Sequence, residues 1–292
     1  MSWADAVFAL ICATGFGGSF LFINVAVTEI PPITLTAARS VISFLALWSV
    51  LRLMGLRLPP WGPIWWWITA LGFASLVLPM VLVSWGQLHI ESGLAGIIIG
   101  FVPIVTFVLA HLFFQDERFT PMGFTGVLIG FMGVIAIIGP AALFDFGNHL
   151  LGQIATFAGA VSIGAANIIG RRISSIGPMV IVTASQLAAV VWLVPLSLIL
   201  DQPWTLAPSD TALGCLVIIG LFGSALPGFL FYRLLVRVGA TRASLVAYVA
   251  PIVAVVIGAL VLDERLPWSA LVGLVLILVG AYIVNRRAGR AL

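Results

Sequence analysis

This sequence predicts an all-α polytopic membrane protein, with ten transmembrane helices in two five-helix repeats of inverted topology. Composition, the number of apolar stretches and an internal repeat each lead there. Of the 292 residues, 62% are hydrophobic and 8% charged, against about 25% charged in an ordinary soluble domain. With a mean hydropathy of +1.23, the chain in water would expose more contiguous apolar surface than a monomer tolerates. A bilayer is the solvent that fits. The repeat has an offset of 147 residues: Glu117, Arg118, Gly126 and Gly133 recur as Glu264, Arg265, Gly273 and Gly280. Pro31 recurs as Pro178, Thr36-Ala37 as Thr183-Ala184 and Gly17 as Gly164, while Pro79 slips by one to Pro227. The chain therefore reads as two halves of one ancestral unit, 1–145 and 146–292.

A span needs about 20 mainly apolar residues, because roughly 30 Å of hydrocarbon is crossed at 1.5 Å per residue. The first, 4–27, lacks a basic leader at Met1-Ser2-Trp3-Ala4-Asp5 and outlasts a signal-peptide core, so it reads as a retained span. Span 2, 33–54, carries Arg39. Span 3, 63–87, begins with Trp65-Trp66-Trp67, an interfacial aromatic cluster, and contains Pro79. Span 4, 92–114, contains Pro103. Span 5, 122–143, follows Pro121, whose fixed φ suits a first helical turn. The second half repeats the series at 150–170, 179–200, 211–235, 242–262 and 268–285, with Pro227 in span 8 and Pro251 in span 9. The links are short; 139–150 and 200–211 collect the Pro, Asp, Asn and Gly that form turns. Cys12 and Cys215 fall inside spans, where free thiols pack as small hydrophobes.

All thirteen basic residues are arginines. With the N-terminus cytoplasmic, eleven of them fall on that side, Arg265 alone falls opposite, and Arg39 lies within a span. The positive-inside rule then places both termini in the cytoplasm. The net charge of +3 reflects this topology and gives no indication of nucleic-acid binding. Five spans per half is an odd number, so the second half enters the membrane upside down. Such inverted repeats belong to secondary transporters, with the substrate site at the midplane between halves.

Interrupted helices at matching places point to the moving or binding region. Pro79, Pro103, Pro227 and Pro251 are the candidate gating positions, since an interior proline removes a helical hydrogen bond and bends the helix. The alternative is static kinks that aid packing. Gly15-Phe16-Gly17-Gly18-Ser19 and Ser162-Ile163-Gly164-Ala165-Ala166-Asn167 read first as close helix contacts. Thr14, Phe16, Ser162 and Asn167 are candidates to line a cavity. Arg39 and its counterpart Gln186 form an unequal pair. A charge inside a span is a functional hypothesis by default, here carboxylate binding; snorkelling over about 9 Å of helix is the other reading. Among deeper aromatics, Trp85, Phe101 and Tyr248 are candidates for an aromatic-lined pocket that holds an apolar side chain.

Glu117 and Glu264 precede Pro121 and Pro267, as acids near helix N-termini do, and read as caps and repeat markers. No histidine has a partner at metal-ligand spacing, and no nucleophile-and-base pattern occurs. An enzyme is not expected, nor any cofactor or metal. No acidic residue falls near the midplane, so cargo is expected to move by facilitated diffusion or exchange without a carboxylate relay.

Gly17-Gly18-Ser19-Phe20, Ile30-Pro31-Pro32 with Ala37-Ala38-Arg39, and the doubled Glu-Arg…Gly…Gly endings resemble EamA-type members of the drug/metabolite transporter superfamily along the whole chain. Within that superfamily the chain most resembles YddG-type aromatic amino acid exporters. The resemblance implies ten helices around a central cavity, alternating access, a bacterial inner-membrane location and both termini inside. It also implies export of small amphipathic metabolites, with aromatic or other apolar amino acids as the expected cargo. Nucleosides, sugars or drugs are the alternative cargo of the same fold, and a channel is the alternative class. Arg39 matches the family's span-2 arginine, whereas Gln186 stands where a symmetric second arginine would be. The expected partners are the small-molecule substrate and the lipid bilayer, without nucleic acid, for a chain acting as a monomer.

Overall fold

The structure, a computed structural model, describes residues 3–90, 95, 98–115, 120–138, 150–250, 253 and 268–286. No strand occurs among them. The helices are α1 (Trp3–Ala26), α2 (Pro32–Leu53), α3 (Ile64–Gly86), α4 (Val102–Phe113), α5 (Pro121–Ile138), α6 (Leu150–Arg172), α7 (Pro178–Leu200), α8 (Asp210–Val238), α9 (Ala240–Ser244) and α10 (Trp268–Arg286). Among the described residues, six helical stretches are long and apolar enough to cross a membrane: Trp3–Ile23, Pro32–Leu53, Ile64–Gly86, Leu150–Arg172, Pro178–Leu200 and Asp210–Val238. Val102–Phe113, Pro121–Gly133 and Val275–Val284 are shorter apolar helices. Pro251, Glu117 and Glu264 lie outside the described residues, as do the acidic positions Glu91 and Asp145 and the arginines 118, 265, 287 and 290.

Prolines begin α2, α5 and α7 at the position where a missing N–H costs nothing. Asp201, just past α7, accepts the Thr34 amide and hydroxyl, both at 2.8 Å, at the start of α2. The first turn of α2 is thus capped from the other half of the chain.

The repeat-marking glycines meet each other. A Cβ added at Gly126 would lie 2.9 Å from the Gly280 carbonyl oxygen, and one at Gly133 would lie 2.7 Å from that of Gly273. As α5 rises from 126 to 133, α10 descends from 280 to 273, so the two run antiparallel with backbones in contact. Without a hydrophobic driving force between helices in lipid, such close backbone packing is what holds them together. Crossings between halves repeat the device. Gly72 on α3 approaches the Ser185 carbonyl of α7, and Gly220 on α8 packs against Ile42 and the Arg39 carbonyl of α2.

Helices α3 and α8 contain a feature that proline alone does not foretell. Each holds a single π-helical turn, Phe73–Val77 and Leu221–Ala225, immediately before Leu78-Pro79 and Leu226-Pro227. The Leu78 N–H donates five residues back to Phe73 O, and Leu226 does the same to Leu221 O. An added residue in the turn relieves the clash that each proline ring makes with the carbonyl one turn earlier. The chain tightens at matching places just before α4 and just after α9: Phe101 N–H donates to Ile98 O at 3.1 Å and Tyr248 N–H to Leu245 O at 3.0 Å, both i→i−3 bonds.

Candidate functional site

A cavity of about 190 Å³ lies between the halves. Its described lining comes from α1 through α4, from α6 through α8, and from residues 244–250, so both halves contribute. The wall is chiefly apolar: Phe16 and Ile23 from α1, Leu76, Met80 and Val83 from α3, Val182 from α7, Phe231 from α8. Phe16 meets Phe231 edge-on, ring centroids 6.3 Å apart, a favoured geometry for aromatic pairs.

Arg39 supplies the charge. It is 6% exposed, held by Ser224 Oγ, which accepts from Nη2 at 2.6 Å and from Nε at 3.0 Å. Met80 Sδ lies 3.5 Å from Nη1. Ser224 belongs to the π-helical turn of α8, so that turn positions the guanidinium. No carboxylate pairs with Arg39 among the described residues. The structure thus answers the sequence ambiguity: the side chain does not snorkel to the membrane surface but points inward. A guanidinium buried without an anion carries a several-kcal/mol desolvation penalty that an incoming anion offsets.

Two further expected residues line the same cavity. Asn167 is buried and donates from Nδ2 to Thr106 Oγ1 at 3.0 Å, tying α6 to α4. Gln186 is 2% exposed, and its Oε1 has no hydrogen-bond partner among the described residues. Phe16, Arg39, Asn167 and Gln186 are therefore brought together.

The other five expected residues do not line this cavity. Ser162 instead donates its hydroxyl to Ala74 O of α3 at 2.7 Å. Thr14 is on an exposed face of α1 and back-bonds to Leu10 O at 2.9 Å. Trp85 sits at the end of α3, 37% exposed, with its ring 4.3 Å from that of His89. Phe101 packs on Phe131 of α5 and Phe157 of α6. Tyr248 is fully buried, bonds to Val127 O at 2.8 Å and lies over Gly130 of α5. Phe101 and Tyr248 are counterparts at the 147-residue offset, and both pack against α5.

Sequence reasoning missed Ser224, Ser19, Met80 and Phe231. The first was accessible in principle: Gly72…Pro79 and Gly220…Pro227 align throughout, and Ser224 replaces Leu76. Of the gating candidates, Pro79 and Pro227 follow the π-turns and Pro103 opens α4. None of the described lining residues is acidic or a histidine, and no described group of His, Cys, Asp and Glu could hold a metal ion.

A chiefly apolar cavity with a buried guanidinium that has no carboxylate partner among the described residues thus lies between two similar helical halves. The EamA-like transporter family matches residues 3–139 and again 150–286. The chain belongs to that family. A probable amino-acid metabolite efflux pump of Escherichia coli is 28% identical over 97% of this chain and 95% of its own. An uncharacterized transporter of Archaeoglobus fulgidus is also 28% identical, over 95% of this chain and 97% of its own. A probable terminal-alkyne amino-acid exporter of Streptantibioticus cattleyicolor is 27% identical over 75% and 73%. A solved crystal structure, 20% identical, superposes with a TM-score of 0.81 over 100% of this chain and 99% of that one, and so shares the fold.

Proposed function

We propose that this chain is a secondary transporter of the bacterial inner membrane that exports small amphipathic metabolites, foremost aromatic and other apolar amino acids. The observation that carries the reading is Arg39: a buried guanidinium, without a carboxylate partner among the described residues, facing a chiefly apolar cavity. A single carboxylate would dock there while an apolar side chain lies against Phe16, Met80 and Phe231. The volume of about 190 Å³ is below the roughly 300–1,000 Å³ typical for drug-sized ligands, which favours a metabolite over a drug. The relatives named for amino-acid efflux support the same cargo class.

The accompanying architecture is ten spans in two inverted five-helix repeats, 1–145 and 146–292, with both termini cytoplasmic and a monomer as the working unit. The antiparallel pairing of the glycines on α5 and α10 supports the inversion. Alternating access would bend α3 and α8 at their π-turns beside Pro79 and Pro227, with Pro103 and Pro251 as the second pair of hinges. A lining without described acids or histidines supports exchange or facilitated diffusion rather than an obligatory carboxylate relay.

The test is counterflow of a labelled amino-acid panel into proteoliposomes. Phenylalanine should compete better than glutamate or lysine, and an imposed pH gradient alone should drive no accumulation. Preference for a charged amino acid, or for a nucleoside or sugar, would reject the cargo assignment while leaving the fold intact.

A further inference from the structure

Arg39 brings only donors to the cavity, since a guanidinium has five N–H groups and no acceptor. Its Ser224 contact already uses that hydroxyl as acceptor twice. The opposite requirement is met by Gln186, the counterpart of Arg39 in the second half. It lines the same cavity at 2% exposure, and its Oε1 has no hydrogen-bond partner among the described residues. Buried acceptors left empty are costly and uncommon, so each one calls for an explanation.

We infer that Gln186 Oε1 accepts a hydrogen bond from the amino group of the cargo, making it the residue that distinguishes an amino acid from the corresponding simple acid. The inference rests on the amino-acid reading above and adds the recognition of the second polar group. α2 and α7 pack together, so the donor end and the acceptor end are presented from adjacent helices. Arg39 takes the carboxylate; the amide oxygen takes an N–H, a bond strengthened by the ammonium charge. One arginine facing one amide also suits a monocarboxylate and leaves a second carboxylate without a cation.

The experiment compares L-phenylalanine with 3-phenylpropionate, which has the same ring and carboxylate but no amine, by counterflow in proteoliposomes. The unsubstituted protein should prefer phenylalanine by roughly tenfold or more. Gln186→Met, of similar volume without an acceptor, should reduce that preference to about twofold or less, with phenylpropionate uptake unchanged. A preference that survives Gln186→Met overturns the inference. So does a folded Gln186→Met protein, with unaltered Tm, in which both uptakes fall together, because the amide would then be serving the carboxylate through its nitrogen. Should Gln186→Met not fold, Gln186→Leu removes the acceptor in the same way: lost preference supports the inference and retained preference overturns it. If phenylalanine is carried in an Arg39-dependent way and Gln186 is indifferent, only this inference fails. If neither compound is carried and Arg39→Gln changes nothing, the amino-acid reading fails and this inference with it.

Discussion

The crossing of α1 with α8 and the crossing of α6 with α3 are two copies of one arrangement, completed with different chemistry. In both, a carbonyl of the π-helical turn faces the partner helix. Ala74 O on α3 accepts the Ser162 hydroxyl at 2.7 Å. Its counterpart, Phe222 O on α8, instead meets Gly15, where an added Cβ would lie 2.5 Å away. α1 is also fastened at both ends. Asp5 pairs with Arg237 at 3.2 Å, and Glu29, just beyond α1, accepts the Ser209 amide at 2.7 Å and hydroxyl at 2.8 Å. The α6–α3 side is fastened differently, with Arg172 over the Trp67 ring at 4.7 Å and Gly86 packed against Thr156. The α8 turn carries Ser224 and with it Arg39, whereas the matching position on α3 is Leu76. The duplicated backbone geometry has been kept, and polarity has been loaded onto one copy. A cavity with one cationic end is the result.

The largest effect should come from removing that polarity. Arg39→Gln would make the two halves alike, and carboxylate-bearing cargo should lose transport by roughly a hundredfold or more, measured as initial counterflow rate. A folded protein that transports normally would show that the asymmetry has nothing to do with cargo. Next, Gly15→Ala should strike the tight crossing. Its Cβ would meet backbone rather than a flexible side chain, and such overpacking costs about 1–3 kcal/mol, read as a lowered Tm in detergent. Ser162→Ala tests the matching crossing more gently, because a Cβ is already accommodated there. The Ala74 carbonyl loses its partner at a cost of about 1 kcal/mol, which should accelerate exchange of the Leu78 amide about fivefold.

The smallest effect concerns the fastening at Glu29. The Ser209 amide first, then its hydroxyl, hold the Glu29 carboxyl below its ordinary value. A depressed carboxylate contributes stability that is present above its unfolded pKa and lost as pH falls through the folded one. Glu29→Gln should therefore lower Tm slightly at neutral pH, and the difference should fade in acid as pH falls below the ordinary carboxylate range and through the depressed folded value. The group is exposed, so screening keeps the effect small and salt should reduce it further. A difference that instead grows in acid would contradict the assignment.

Much of this was legible beforehand because repeats and apolar length are one-dimensional signals. The expected spans at 4–27, 33–54, 63–87, 150–170, 179–200 and 268–285 agree with the observed helices within a few residues. The repeat-marking glycines at 126, 133, 273 and 280 form the α5–α10 contact. Arg39 and Gln186 were legible as an unequal pair because a charge in an apolar span stands out. Trp85, Phe101 and Tyr248 were not, since aromatic character says nothing about which side of a helix faces the cavity.

By itself the sequence determined membrane residence, the doubling and the placement of a lone cation, because each follows from composition or spacing along the chain. Tertiary structure alone decided that Arg39 turns inward to Ser224, that Gln186 is left with an empty acceptor, and that Tyr248 serves as a buried anchor. The physical reason is rotational. In a chain that is apolar on nearly every face, no amphipathic stripe fixes how a helix is turned about its axis. Packing of small residues and the π-helical turns beside Pro79 and Pro227 set that rotation instead.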